Sequence, residues 1–353
     1  MFSQIILNLV FKFNIVIAIL TGMAYLSAYI SPYRCWFPGF LAYGIPVFMA
    51  LNFVFLLLWI IRGSMRLLVS LFTIMLGLGN IRASYSLSQV NPPVHNQFSV
   101  MSYNVNCFNP YPKKGPKDKE TFESITGYLI KESPDILCIQ EYCSYPTIKV
   151  FDTKSKLLNT GYRHLFYKTR GKDDRLETAG LAIFTKFPFI RSGTVENESQ
   201  EVIAIYMDLS IVTDTIRVYN AHLFSMGLIN HRQPEANNAV KRFIGKMKTG
   251  FRAKSAEAAL LRDHLLASPY KIILAGDFNE TPYSYVYKSF KQHFNNSFEI
   301  AGNGFGVTYN GKIPFLRIDH QYADKEISIL NHRVSGNMTI TDHFPVVVDY
   351  TLE

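Results

Sequence analysis

The sequence predicts an α/β domain built on packed β-sheets, preceded by N-terminal transmembrane helices. Three observations carry this reading. Residues 1–98 hold no Asp or Glu and consist largely of long apolar runs. From Phe98 onward, short β-branched and aromatic runs alternate with amphipathic stretches of helical period. The ends of several short runs carry carboxylates, amides and histidines that a packed core does not need. Composition agrees: of 353 residues, 48% are hydrophobic and only 18% charged, where soluble domains carry about a quarter. The apolar content excludes a disordered chain. Four scattered cysteines, Cys35, Cys107, Cys138 and Cys143, exclude a disulfide scaffold.

A membrane anchor is expected over residues 1–83, with a polar linker at 84–97 containing Pro92 and Pro93, and the α/β domain over 98–353. Three apolar runs stand out: Asn14 to Ile30, Cys35 to Ile61 and Leu67 to Ile81. A span needs about 20 apolar residues. The first two runs reach that length; the third crosses only if Arg66 and Arg82 snorkel to the headgroups. A cleaved signal peptide is the alternative for the first run. The turn from Arg62 to Arg66 concentrates positive charge and reads as cytoplasmic, which puts the amino terminus inside. Three spans then leave the α/β domain extracytoplasmic (periplasmic or external), and two leave it cytoplasmic.

In the second part, strands are expected at Phe98–Val105, Asp135–Gln140, Gly180–Phe184, Val202–Leu209, Thr215–Ala221, Lys271–Ala275, Ile327–Leu330 and Val346–Tyr350. Helices are expected at Phe122–Glu132, Glu235–Met247 and Ser255–Ala267. Polar residues gather at the strand ends: Asn104, Gln140-Glu141, His222, Asp277 and Asn279, Asp319 and Asp342-His343. Strand ends are where α/β folds place their ligands. Each residue alone also fits a structural role. Asp277 and Asn279 suit an Asx turn, Asp342 a turn cap and His222 a satisfied core histidine. Together they form a richer set. Asp277 and Asn279, two apart, project from one face if the strand continues. Carboxylates with amides and no thiolate pair suit Mg²⁺ or Mn²⁺ better than zinc.

The ordered motifs resemble the endonuclease/exonuclease/phosphatase superfamily, which includes deoxyribonuclease I, exonuclease III, neutral sphingomyelinase and inositol polyphosphate 5-phosphatases. The motifs are Asn104, the Gln140-Glu141 strand end, Asn220-x-His222-Leu223, Gly276-Asp277-x-Asn279, Arg317-Ile318-Asp319-His320 and Thr341-Asp342-His343. The match runs from Phe98 to Glu353 and leaves out the apolar region. The resemblance implies a four-layer α/β sandwich and Mg²⁺- or Mn²⁺-dependent cleavage of a phosphate ester. It implies Glu141 as principal metal ligand, completed by Asn104 and Asp342. Asp277 would position or deprotonate the attacking water, and Asn279 would donate to the phosphate. His343 would bind a phosphate oxygen and be held by Asp319, while His222 would bind phosphate or assist the leaving group.

Departures from the family pattern bear on the substrate. Asn104-Val105-Asn106-Cys107 and Gln140-Glu141-Tyr142-Cys143 lack the glycine and lysine of the DNA-repair branch. The looser motifs resemble the sphingomyelinase-like branch and membrane-attached relatives associated with glycosylphosphatidylinositol-lipid remodelling. The expected activity is therefore hydrolysis of a phosphodiester in a lipid or similar headgroup, with the bilayer as partner. A membrane-tethered nuclease acting on DNA or RNA is the alternative, and an inactive binding module the third reading. The formal charge of +9 supports this order. Lys12, Arg34, Arg62, Arg66 and Arg82 account for five charges in the apolar region. Another basic group lies between Ser225 and Lys254, where Glu235 is the lone acid. That segment is either a solvated helix face or a patch for anionic headgroups or a nucleic-acid backbone.

Overall fold

Alternation of β-branched and aromatic side chains with turn residues produces strands throughout the second part of the chain. The computed structural model describes residues 2–108, 117–170, 179–226, 239–311, 313, 315–335 and 341–352. Arg232, Glu235 and the start of the helix expected from Glu235 lie outside the described residues. Two compact units are present: residues 1–84 with 225–256 and 281–289, and residues 85–224, 257–280 and 290–353.

The first unit contains helices α1 (Phe2–Tyr25), α2 (Phe37–Ala42), α3 (Ile45–Ile61), α4 (Leu67–Leu76) and α5 (Leu78–Ser84). Of these, one stretch, Gln4–Ala28, is long and apolar enough to cross a membrane, and the bent pair Leu67–Leu76 with Leu78–Ser84 would add a second only as a single span. The three spans expected from the three runs are reduced to one, or two with the bent pair. Cys35–Ile61 is interrupted at Gly44, with a proline opening α3. The remaining 17 residues of α3 reach about 26 Å at 1.5 Å each, short of a hydrocarbon core of about 30 Å. Leu67–Ile81 bends by 59° between α4 and α5, at Gly77, where a Cβ would overlap the Tyr25 ring. The span count therefore no longer places residues 98–353 on either side of a membrane.

Polarity in this unit is inverted relative to a soluble bundle. Asn14, Thr21, Asn52 and Ser70 are buried, whereas Leu9, Phe13, Val54, Leu57, Phe72 and Met75 are exposed. The buried amides bond between helices, and of their atoms Asn52 Oδ1 alone is left without a partner among the described residues. Asn14 Nδ2 donates to Ser70 Oγ at 2.9 Å and its Oδ1 accepts from Trp59 Nε1 at 3.0 Å. Asn52 Nδ2 donates to Thr21 Oγ1 at 3.0 Å. Tyr283, from the inserted segment, packs among Ala24, Leu41, Ala42, Ile45 and Met49, and its carbonyl accepts from Ser27 Oγ at 2.7 Å.

The second unit is built from strands β1 (Ser86–Leu87), β2 (Gln97–Asn104), β3 (Ile136–Tyr142), β4 (His164–Thr169), β5 (Gly180–Thr185), β6 (Phe189–Glu196), β7 (Val202–Ile211), β8 (Asp214–His222), β9 (Lys271–Asp277), β10 (Asn295–Asn296), β11 (Asn303–Gly304), β12 (Asp319–Ala323), β13 (Ile327–Val334) and β14 (Val346–Leu352). One six-stranded sheet has the order β13-β14-β2-β3-β5-β4 and the other β10-β12-β9-β8-β7-β6. Both are mixed: β2 runs parallel to β3 and β8 parallel to β9, and the remaining pairs are antiparallel. Their facing sides share one apolar core that includes Val100, Ile136, Ile183, Ile205, Val218 and Ile273. Helix α6 (Lys117–Glu132) covers the outer face of the first sheet through Phe122, Ile125 and Leu129. On the second sheet, Tyr219 OH meets His264 Nδ1 at 2.9 Å, on the far end of a single helix over Ala239–Leu266. The sequence suggested two helices there. The apolar stripe continues unbroken through Phe251, Ala258, Leu261 and Leu265, so one helix serves.

The core is stitched by amides as well as apolar contact. Gln140 Nε2 on β3 donates to Asn220 Oδ1 on β8 at 2.6 Å. Asn220 Nδ2 donates to the carbonyls of Ile139 and Ala182, at 2.8 and 2.9 Å. Gln321 on β12 reaches across to the carbonyls of Val100 and Val346 and accepts from Tyr350 OH. Replacing Asn220 by Leu would take the 2.6 Å acceptor from Gln140 Nε2, leaving it Ser102 Oγ at 3.1 Å, and remove a donor from two buried carbonyls. The variant should lose about 1–3 kcal/mol of stability, read as a lowered unfolding midpoint, with an unchanged midpoint arguing against the clamp.

A second prediction concerns acid. His332 on β13 is buried, its Nδ1 2.9 Å from Ser297 Oγ. Burial, reinforced by the Arg317 charge, pushes its imidazole down to about 3. The unfolded chain protonates near its ordinary value of about 6.5. Its contribution is complete above that pH and declines toward pH 3, by up to about 1.4 kcal/mol per pH unit. His332→Asn should flatten the stability–pH curve by about one proton across that window, as measured by thermal unfolding at stepped pH.

Candidate active site

Register builds the site. On the second sheet, His222 pairs with Asp277 and Asp277 pairs with Asp319, so three polar side chains stand abreast at neighbouring strand ends. Gly276 makes the approach of β9 to β8 possible, because a Cβ there would collide with the Ala221 carbonyl. On the first sheet, Asn104 stands opposite Gln140, next to Glu141. A register shift between Gln140 and Tyr142 leaves Glu141 at φ +50°, a bulge that turns its side chain out of the ladder.

The two sets meet. Asn104 Nδ2 lies 3.2 Å from Glu141 Oε1 and 3.1 Å from Asp277 Oδ2. His222 Nε2 is 3.9 Å from Glu141 Oε1 and 3.7 Å from Asp277 Oδ2. His343 Nε2 also faces Asp277 Oδ2, at 3.7 Å, while its Nδ1 meets Asp319 Oδ2 at 3.0 Å. Asp342 acts on this imidazole through its charge, and its carbonyl accepts the Asn310 N–H at 2.8 Å.

Asn279 is placed differently from the same-face expectation. The strand stops at Asp277 and Asn279 adopts φ +51°. Its N–H donates to Asp277 Oδ1 at 2.8 Å, and its Nδ2 donates to the Leu223 carbonyl at 3.1 Å. The Asx-turn alternative is therefore present, and it leaves Asp277 Oδ2 directed at Asn104 and the two histidines.

Electrostatics separates the histidines. For His222, burial pushes the imidazole down to about 4; Asp277 opposes this, while Arg170 and His343 add to it. Burial would also lower His343, but Asp319 and Asp277 overcome it and raise the group to about 10. At neutral pH His222 is neutral and His343 is an imidazolium. Asp277 itself is raised by burial, against the pull of His343.

Two arrangements could hold a cation. The ligand atoms of Asp277, Asp319 and His343 lie within 4.8 Å of one another. A metal there would compete with the hydrogen bond between Asp319 and His343 for the Asp319 carboxylate. Glu141 is the more accessible ligand, while Asn104 turns Nδ2 toward it and accepts the Asn106 N–H at Oδ1. The Glu141 side chain retains 34% exposure, against 1% for Asp277, and offers hard oxygen ligands to a cation arriving from solvent.

Three supporting residues escaped the sequence reading. The Tyr309 ring packs edge-on to His343, with centroids 4.9 Å apart. Thr308 joins both halves of the Asp–His pair: its Oγ1 accepts from Asp319 N at 3.1 Å and its carbonyl from Phe344 N at 2.7 Å. Arg170 bears on His222 by charge and sits 3.8 Å from buried Glu257. None belongs to a spaced motif, so no local pattern marks them.

Comparisons with known proteins follow this geometry. The Endonuclease/Exonuclease/phosphatase family profile matches residues 101–343, and a domain of unknown function, DUF8431, matches residues 7–84. No curated protein sequence matches the chain. Among solved structures, a conserved protein of unknown function from Enterococcus faecalis is 18% identical. It aligns over 72% of this chain and 100% of its own, with a TM-score of 0.54. The human Nocturnin catalytic domain with bound sulfate is 16% identical over 74% of this chain and 97% of its own, TM-score 0.53. ANGEL2, a 2',3'-cyclic phosphatase, is 16% identical over 72% of this chain and 95% of its own, TM-score 0.51. At these identities the likeness is one of fold. The profile itself covers more than half of the sequence, and the chain belongs to the endonuclease/exonuclease/phosphatase family.

Proposed function

We propose that this protein is a membrane-anchored, divalent-metal-dependent phosphodiesterase acting on the headgroup of a lipid. The observation that carries the chemistry is the convergence of Asn104, Glu141, His222 and Asp277 with the Asp319–His343 pair. A phosphodiester is an anion that repels nucleophiles, so its hydrolysis needs positive charge, donors to the oxygens and a base for water. His343, cationic and held at Nδ1 by Asp319, presents Nε2 as a donor to a phosphate oxygen. Asp277, with its raised proton affinity, is the base for the attacking water. His222, neutral, can accept a hydrogen bond or hand on a proton near the leaving group. Asn279 contributes a carboxamide donor once it releases the Leu223 carbonyl. Glu141, with Asn104 and Asp342, would hold Mg²⁺ or Mn²⁺. The bound cation neutralises phosphate charge.

The lipid assignment rests on the first unit. A bundle that buries its amides and exposes Leu, Phe, Val and Met suits a hydrocarbon solvent. A tethered enzyme meets its substrate at that surface.

Full-length protein in mixed micelles should turn over a phosphodiester lipid with Mg²⁺ or Mn²⁺, stop on chelation and recover on readdition. Asp277→Ala and His343→Ala should each lower kcat/KM by about 10²–10⁴ while the unfolding transition persists. Full activity in Asp277→Ala ends the catalytic assignment. Nicking of plasmid DNA with no lipid turnover replaces the lipid by nucleic acid.

A further inference from the structure

The first part of the helix Ala239–Leu266, α8 in order after α7 (Thr153–Leu158), is counted with the apolar helices up to residue 256. Val240, Phe243, Ile244, Met247 and Phe251 recur along it at three- and four-residue intervals and form one stripe. The stripe changes character partway. Met247 and Phe251 are buried, whereas Val240, Phe243 and Ile244 are exposed at 72%, 40% and 45%. Lys241, Arg242, Lys246 and Lys248 flank the exposed part, themselves exposed, and no acid occurs between Ala239 and Ala256. Exposed apolar side chains bordered by basic ones characterise a helix lying in the plane of a headgroup layer.

A second observation comes from what this segment packs against. Phe243 meets Phe40 edge-on at 6.3 Å, Phe251 lies 6.3 Å from Tyr43, and Arg252 donates to the Tyr33 carbonyl at 3.3 Å. These partners belong to the stretch after α1 that contains Tyr29, Tyr33, Trp36, Phe37, Phe40 and Tyr43. Aromatic residues concentrated just beyond a membrane-length helix mark the boundary between hydrocarbon and water. The basic helix is therefore fastened to the end of the anchor where phospholipid headgroups would lie.

We infer that residues 239–248 form an interfacial helix that binds anionic phospholipid headgroups, with Val240, Phe243 and Ile244 entering the acyl boundary and the four basic residues meeting phosphate. The inference rests on the membrane reading of the first unit. A nucleic-acid backbone would answer the same charge, but it offers nothing to the three exposed apolar side chains.

The experiment uses full-length protein in nanodiscs of phosphatidylcholine, with and without phosphatidylglycerol, in a Cys35→Ser, Cys107→Ser background. An environment-sensitive dye is placed at Ile244→Cys, and separately at Val54→Cys on the outer face of α3. The Val54 dye should report hydrocarbon in both lipids. The Ile244 dye should shift to the blue only with phosphatidylglycerol. That shift should disappear at high ionic strength and in the Lys241→Glu, Arg242→Glu, Lys246→Glu, Lys248→Glu variant. A Val54 dye that stays aqueous removes the membrane reading and the inference with it. A lipid-buried Val54 dye with an Ile244 dye indifferent to phosphatidylglycerol overturns the inference alone. So does an Ile244 signal that responds to duplex DNA and not to lipid.

Discussion

Everything in the candidate site depends on two sheets being held in one register by buried amides. The first sheet supplies Asn104 and Glu141, and the second supplies His222, Asp277 and Asp319. Apolar contact alone is non-directional and tolerates a slide of one sheet over the other. The Gln140–Asn220 contact does not, because its donor and acceptor must meet within a few tenths of an ångström. Its position matters as much as its strength. Gln140 immediately precedes Glu141, and Asn220 lies two residues before His222 on the same strand. Gln321, two residues beyond Asp319, performs the same service further along. Strands β3, β8 and β12 thus each carry, just inside the end that delivers Glu141, His222 or Asp319, an amide that fixes where that end lies.

The same burial that makes the amides strict divides the labour of the histidines. His222 and His343 both face Asp277 Oδ2 at 3.7 Å, and both are removed from solvent. What separates them first is Asp319, hydrogen-bonded to His343 and not to His222. Its charge, with that of Asp277 and Asp342, outweighs desolvation for one ring, while Arg170 and His343 add to desolvation for the other. A neutral imidazole and an imidazolium then flank a single carboxylate. This is the asymmetry that a reaction with separate proton-accepting and anion-binding roles requires. Thr308 maintains it by tying the Asp319 backbone to the loop that carries His343.

Legibility in the sequence follows from these same forces. Central strands such as Ile136–Tyr142 and Val202–Ile211 are apolar runs because both of their faces are covered, and their positions were readable within a few residues. The edge strands His164–Thr169 and Phe189–Glu196 were not readable, since one side of each is wet and no periodic run survives. Asp319–Ala323 is wholly buried yet reads Asp-His-Gln-Tyr-Ala, because its polar side chains serve the site and the inter-sheet stitch. The site residues were readable as polar groups that end apolar strands. Tyr309 and Thr308 act from a loop with no period, and their roles come only from the folded path of the chain. The turned amide of Asn279 was hidden for a related reason: a left-handed residue ends the strand, and alternation stops applying there.

The apolar helices show the limit of reading length alone. Three runs of apolar residues suggested as many spans, yet breaks at Gly44 and Gly77 divide two of them. The more informative signal is which residues face inward. A soluble bundle of the same composition would bury Leu9, Val54 and Leu57 and expose Asn14 and Asn52; here the order is reversed. In water that reversal would forfeit hydrophobic burial along every helix. In hydrocarbon it gives each amide donor a neighbouring acceptor and leaves each aliphatic side chain at no disadvantage. The hydrogen bonds Asn14–Ser70, Trp59–Asn14 and Asn52–Thr21 therefore do for the apolar helices what Gln140–Asn220 does for the two sheets. In both units directional polar contacts choose one arrangement among many that apolar packing would accept.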